Sequence, residues 1–129
     1  MRRHITLLLL PVAVLAIGGC DNSADVVICP DIARAGIFVT VTDSLTQAPA
    51  GRNATIVAKS ATFTDSVSSA QAAASDGPFG LVYSRNATGT YTLTVKQSGY
   101  RDWVKTGIVV TKVDACTLRT VPVTAKLQK

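Results

Sequence analysis

Apolar and polar residues alternate with a period of two along most of the chain from residue 36 onward. The alternation is clearest at 90–96, where Tyr91, Leu93 and Val95 are separated by threonines. Such a pattern is typical of antiparallel strands with one buried face. Bounded by turn residues, it predicts strands at 37–42, 54–59, 61–67, 79–84, 90–96, 102–111 and 120–127.

Three segments refine this prediction. In 79–84, the residues Phe79, Leu81 and Tyr83 are expected to share one strand face. Pro122 cannot donate to a ladder, so the last strand is expected at a sheet edge or a bulge. The alanine-rich stretch 68–77 is compatible with one or two helical turns opened by Ser68 or Ser69, or with a loop.

Seven short strands joined by turns predict an all-β domain over residues 36–129. Each sheet would have one apolar face to bury, so the expected architecture is a seven-stranded antiparallel β-sandwich. An immunoglobulin- or fibronectin-like topology is one alternative for the order of these strands.

The N-terminal segment, residues 1–19, has the features of a signal peptide. Arg2 and Arg3 precede a mostly apolar stretch, 5–17, which is too short for a transmembrane helix. The following Ile17-Gly18-Gly19-Cys20 resembles the lipobox of bacterial lipoproteins. That resemblance implies cleavage before Cys20, acylation of its thiol and amine with chains such as palmitate, and stable attachment to a membrane.

The short segment 20–35 would then tether the domain to the lipid. Cys29 follows Cys20 by nine residues, a length of chain that spans about 30 Å at most. The domain is therefore expected close to a membrane of the cell envelope, facing the periplasm or the exterior. Asp21 resembles the signal that retains enterobacterial lipoproteins in the inner membrane.

The remaining cysteines, Cys29 and Cys116, form an even pair in an exported protein. Two isolated cysteines without histidine cannot complete a tetrahedral zinc site, and no CxxC motif is present. The sequence therefore predicts a structural disulfide. Its loop of 88 residues corresponds to roughly 4 kcal/mol in the chain-entropy model.

Composition narrows the function further. All eight acidic residues are Asp, and His4 is the only histidine, so removal of residues 1–19 leaves a chain without Glu or His. The commonest general base and metal ligand would be missing, so we expect no enzyme, no cofactor and no metal site. The mature chain would carry 11 basic and 8 acidic side chains without a basic run, which argues against nucleic-acid binding.

Two short motifs carry a resemblance to a known family. Gly89-Thr90-Tyr91-Thr92-Leu93-Thr94-Val95 followed by Ser98-Gly99-Tyr100 is similar to a pattern of carboxypeptidase regulatory-like domains. The strand 37–43 with the nearby Pro49 is similar to the first strand and turn of that family. The resemblance covers about residues 36–127. It implies a prealbumin-like (transthyretin-like) sandwich with a supporting, binding or presenting role.

The cluster Tyr100, Arg101 and Trp103 is the candidate binding site. Exposed aromatic rings with flanking cations could stack on a sugar or lie at a lipid interface, whereas a large aromatic on a strand is more often part of the core. We expect a non-catalytic module that binds an envelope protein. The alternatives are a module that binds carbohydrate or an envelope polymer, and a small hydrolase using Ser with Asp or Lys.

Overall fold

The computed structural model describes residues 26–30 and 33–129. In this part of the chain two β-sheets pack face to face around one apolar core, which confirms the predicted all-β sandwich. The strands are β1 (Ile37–Asp43), β2 (Thr55–Lys59), β3 (Thr64–Val67), β4 (Phe79–Leu81), β5 (Gly89–Lys96), β6 (Trp103–Val110) and β7 (Val121–Leu127), and a short helix, α1 (Ser69–Ala72), follows β3.

The period-two pattern decides which side chains enter the core. On β5, Tyr91, Leu93 and Val95 are fully buried, while the threonines between them face outward and are partly exposed. The hydroxyl of Tyr91 donates to the carbonyl oxygen of Ala87 at 2.6 Å, so this buried polar atom is satisfied. The core therefore holds a large aromatic side chain without a lost hydrogen bond.

The sheets have the strand orders β4-β1-β7 and β3-β2-β5-β6. β7 lies at a sheet edge, which confirms the position expected from Pro122. The expectation of a wholly antiparallel sandwich is wrong, because β1 and β7 pair in parallel from Ile37↔Val121 to Asp43↔Leu127. The chain leaves β6 at the end of the sandwich where β1 begins, so β7 starts there too and runs beside β1 in the same direction.

The fourth strand is shorter than predicted. β4 ends at Leu81, and the buried Val82 has a φ of 63°, which is unusual for a β-branched residue. Its amide donates to Oδ2 of Asp65 on β3 at 2.7 Å, and this contact between the two sheets holds the turn. The prediction that Tyr83 shares a strand face with Phe79 and Leu81 is therefore wrong, and Tyr83 is exposed.

The helix begins where the sequence offers a cap. Ser68 and Gln71 form a capping box, in which the Ser68 side chain accepts from the Gln71 amide and the Gln71 side chain accepts from the Ser68 amide. Ala72 on α1 is buried against the core. Across the described ranges, no helix has the length and apolar character needed to cross a bilayer.

The sandwich has two ends, which we name by their contents. The disulfide end contains Cys29 and Cys116, the starts of β1 and β7 and the end of β6. The distal end contains the ends of β1 and β7, α1 and Tyr100. The predicted signal peptide 1–19, the predicted lipidation site Cys20 and Asp21 lie outside the described residues.

Candidate functional site

The disulfide predicted between Cys29 and Cys116 is present, with Cα atoms 5.3 Å apart. Cys116 lies in the hairpin between β6 and β7, where its amide donates to Oδ1 of Asp114 at 2.7 Å and lowers the pKa of that carboxyl group. The bond joins the segment that precedes β1 to the hairpin that precedes β7. Both strands of the parallel pair are thus linked covalently at the disulfide end.

A small cavity adjoins the disulfide. Its volume is about 50 Å³, and Pro30, Arg34, Tyr83, Arg85 and Cys116 contribute to its lining. Pockets that enclose small organic ligands are several times larger, typically about 300–1,000 Å³. The cavity is therefore too small to be a conventional small-molecule site, although it brings two arginines and an exposed aromatic side chain together.

At the distal end, Asp43 is a buried carboxylate, 5 % exposed, at the end of β1. It accepts from the amides of Leu45 and Thr46 at 2.8 and 2.9 Å and from the hydroxyl of Tyr100 at 3.0 Å. The two amide hydrogen bonds are the main cause that lowers its pKa to about 2, and burial acts in the opposite direction. The same contact with Asp43 raises the pKa of Tyr100.

Tyr100 is consequently committed to structural contacts. Its ring packs against the core, and Nζ of Lys129 lies 5.6 Å from the ring centroid and 3.9 Å from Oδ2 of Asp43. A ring covered in this way offers little free surface on which a sugar could stack. The hydrogen bonds of Asp43 to the Leu45 and Thr46 amides cap the turn that follows β1, and its contact with Tyr100 was not predicted from the sequence.

Arg101 and Trp103 lie beside Tyr100 but belong to a different surface. Both line a shallow, open depression that also includes Lys126 and Gln128. Trp103 is half-buried and packs against the core, while Arg101 is exposed and its amide donates to the Gln128 carbonyl oxygen at 2.7 Å. Of the three predicted residues, Arg101 and Trp103 therefore share one depression, and Tyr100 is not among the residues that line it.

The outer surface of the larger sheet is the feature that sequence reasoning did not single out. Threonines of β5 are flanked by Val57 on β2 and by the exposed Val104 and Val109 on β6, which pair with Thr94 and Thr90. We call this surface the Thr/Val face; it consists of Val57, Thr90, Thr92, Thr94, Val104 and Val109. In the sequence, this surface was indicated by the outward-facing residues of the alternating pattern. Which residues of adjacent strands lie beside them could be identified only from the strand order.

For the alternative of a hydrolase that uses Ser with Lys, the hydroxyl next to a lysine in the sequence is that of Ser60, which follows Lys59. This hydroxyl is hydrogen-bonded to the backbone. Oγ of Ser60 accepts from the amide of Phe63 at 3.0 Å and donates to its carbonyl oxygen at 3.1 Å, so it closes a tight turn. Among residues 26–30 and 33–129, no group of three Cys, His, Asp or Glu side chains could hold a metal ion.

Comparisons with known proteins add no relative to this picture. No protein-family model matches the chain, and no match was found among curated protein sequences.

Proposed function

We propose that the protein is a bacterial lipoprotein, acylated at Cys20, which holds a non-catalytic β-sandwich at the cell envelope as a protein-binding or accessory module. The Cys29–Cys116 disulfide is the observation that carries this proposal, because it joins the tether to one end of the domain. The other end and both outer sheet surfaces remain available to a partner. On this proposal the domain faces the periplasm or the exterior, and Asp21 favours the inner membrane.

The fold family that we propose is the prealbumin-like sandwich of carboxypeptidase regulatory-like domains. Support comes from the strand order, since β1 and β2 belong to different sheets. In an immunoglobulin sandwich the first two strands belong to the same sheet, so the strand order of this chain favours the prealbumin-like alternative. The segment Gly89–Val95, which carries the resemblance, lies in β5, one of the two inner strands of the larger sheet.

The Thr/Val face is the surface on which we expect the partner protein. Exposed valines at 104 and 109 give it apolar area, and the threonine hydroxyls supply hydrogen-bonding groups without charge. Surfaces that bind other proteins are commonly depleted of charge at their centre. Lys59 pairs with Thr92 on this side of the sheet, so a single cation lies beside the threonines of this face.

The second candidate is a module that binds carbohydrate or an envelope polymer through the depression lined by Arg101 and Trp103. The packing of Trp103 against the core and the contacts of Tyr100 with Asp43 and Lys129 weigh against it. We therefore rank protein binding first.

Acylation is tested by Cys20→Ser in the full-length chain, expressed in a bacterium that processes lipoproteins. We expect loss of acyl labelling. The matched control is Cys29→Ser, which removes a different cysteine and should leave acylation intact. Continued acyl labelling of the Cys20→Ser protein would contradict the lipoprotein proposal.

Protein binding is tested by photo-crosslinking at the native membrane. A photo-reactive amino acid replaces Thr90 on the Thr/Val face or, as the control, Thr40, an exposed threonine on the outer surface of the smaller sheet. We expect a discrete protein adduct from position 90 and none from position 40. Equal adducts, or no adduct from either, would refute the assignment of the face. Binding to isolated envelope polymer that is lost in Trp103→Ala would favour the second candidate.

A further inference from the structure

Exposed apolar side chains are concentrated at the disulfide end. Val26, Val27 and Ile28 immediately precede Cys29, and Ile28 is 87 % exposed. Val113, 59 % exposed, lies in the hairpin that carries Cys116. Because the disulfide joins these two segments, it holds the exposed aliphatic side chains on the same end of the sandwich.

Exposed cations lie at the same end of the sandwich. Arg34 and Arg85 line the cavity beside Cys116, Arg34 and Arg119 line the adjoining surface with Val113, and Lys112 is next to Val113 in the chain. Asp114 is the carboxylate of the described chain that lies among them. The group is therefore a basic surface that contains exposed aliphatic side chains.

The ion pairs of the sandwich are distributed unevenly. Within the described ranges, salt bridges join Arg52 to Asp76, Lys96 to Asp102 and Lys129 to Asp43, all at the distal end. In those same ranges, no carboxylate oxygen lies within salt-bridge distance of Arg34, Arg85, Lys112 or Arg119. Asp114, whose pKa is lowered in part by the charge of Arg34, offsets one of these four cations, and the remaining positive charge can bind an external anion.

The length of chain before Val26 indicates which anionic surface could contact the disulfide end. Cys20 lies six residues earlier in the sequence, a reach of about 20 Å when fully extended. β1 is seven residues long, so the distal end lies roughly another 20 Å beyond. If Cys20 is acylated, the bilayer surface is therefore the large anionic surface within reach of the disulfide end.

We propose that the disulfide end of the sandwich is a membrane-docking face, on which Val26–Ile28 and Val113 enter the headgroup region and the surrounding cations bind anionic lipid. The orientation inferred for the anchored protein rests on the proposed lipidation, whereas the affinity of the face for lipid does not. Asp25 and Asp31 adjoin these residues in the sequence, so the apolar side chains must supply part of the attraction. Combining apolar and electrostatic contributions is the usual way in which weak membrane contacts become stable.

The affinity of the face is measured on an unacylated chain, residues 20–129 with Cys20→Ser. Every core residue that the structure describes lies between Ala35 and Leu127, and the disulfide is internal to this chain, so the sandwich retains its described core. The probes are vesicles of phosphatidylcholine, with or without phosphatidylglycerol. We expect binding to the anionic vesicles that weakens as salt is added, and little binding to the neutral ones.

The charge variant is Lys112→Gln with Arg119→Gln, and its matched control is Lys105→Gln with Lys126→Gln, which removes the same charge elsewhere. Since a juxtamembrane cation contributes about a fivefold change in binding, the first pair should reduce partitioning roughly 25-fold and the control pair far less. Equal losses from the two pairs would overturn the proposal, as would equal binding to neutral and anionic vesicles.

A second measurement uses the full chain reconstituted in vesicles that contain brominated lipid. Tryptophan is introduced as Val113→Trp or, as a control at the distal end, as Leu45→Trp, both at exposed positions. We expect quenching of the additional fluorescence at position 113 and not at position 45. Acylation is followed separately by mass, so an acylated protein with no quenching at 113 would refute the docking face while leaving the lipoprotein proposal intact.

Discussion

Removal of the disulfide should destabilise the domain strongly without altering its folded structure. The perturbation is the double substitution Cys29→Ser with Cys116→Ser. In the folded state the hairpin that carries Cys116 keeps its own hydrogen bonds, including Val113 N–H to the Thr117 carbonyl oxygen at 2.9 Å and the bridge between Lys112 and Leu118. The main effect is therefore expected on the unfolded chain, which gains conformational freedom.

The magnitude follows from the length of the loop. The two cysteines are 87 residues apart, so the chain-entropy model gives about 4 to 5 kcal/mol of lost stability at room temperature. For a domain of this size that loss corresponds to a fall in Tm of roughly 15 °C or more. Because the unfolded chain becomes less compact, the dependence of unfolding free energy on denaturant should also steepen.

Urea unfolding followed by circular dichroism measures both quantities. The control is the reduced wild-type protein, because reduction breaks the same bond without a substitution. Its unfolding should resemble that of the double variant. A near-native spectrum before unfolding is expected for each. An unfolding free energy within about 1 kcal/mol of the oxidised wild type would refute the view that this loop constrains the unfolded chain.

Two further predictions concern the hydrogen bonds of buried side chains. Tyr91→Phe removes the 2.6 Å bond to the Ala87 carbonyl oxygen and leaves that acceptor unpaired, so the unfolding free energy should fall by about 1–3 kcal/mol, while Tyr83→Phe, at an exposed position, should change it little. Asp43 has a pKa lowered from 3.8 to about 2, so its contribution to stability should be complete above pH 4 and lost as the pH falls towards 2. Thermal melts across this range should show a smaller acid-induced fall in Tm for Asp43→Asn than for the wild type; identical profiles would contradict the assignment.

The sequence was informative wherever structure depends on neighbouring residues. The alternation of Tyr91, Leu93 and Val95 with threonines predicted the buried face of β5, because a half-buried strand requires that pattern. Ser68 indicated one possible start of the helix for a similar reason, since a side-chain oxygen satisfies the first free amides of a helix.

Features that depend on distant residues could not be predicted in this way. The turn at Val82 is held by Asp65, 17 residues earlier, so the strand predicted through Tyr83 ended too late. Tyr100 binds Asp43 across 57 residues, and its neighbours in the sequence gave no indication that this contact would cover its ring. The parallel pairing of β1 with β7 also follows from the path of the whole chain rather than from either strand.

The parallel pairing of β1 and β7 has a mechanical consequence. If the tether is held at the membrane and a partner pulls at the distal end, the tension acts along the strands, and the disulfide divides it between the segments that enter β1 and β7. Under such a pull both strands are loaded from the same end, so little of the tension acts across the seven residue pairs that join them. The direction of attachment would thus determine how much tension the domain could transmit.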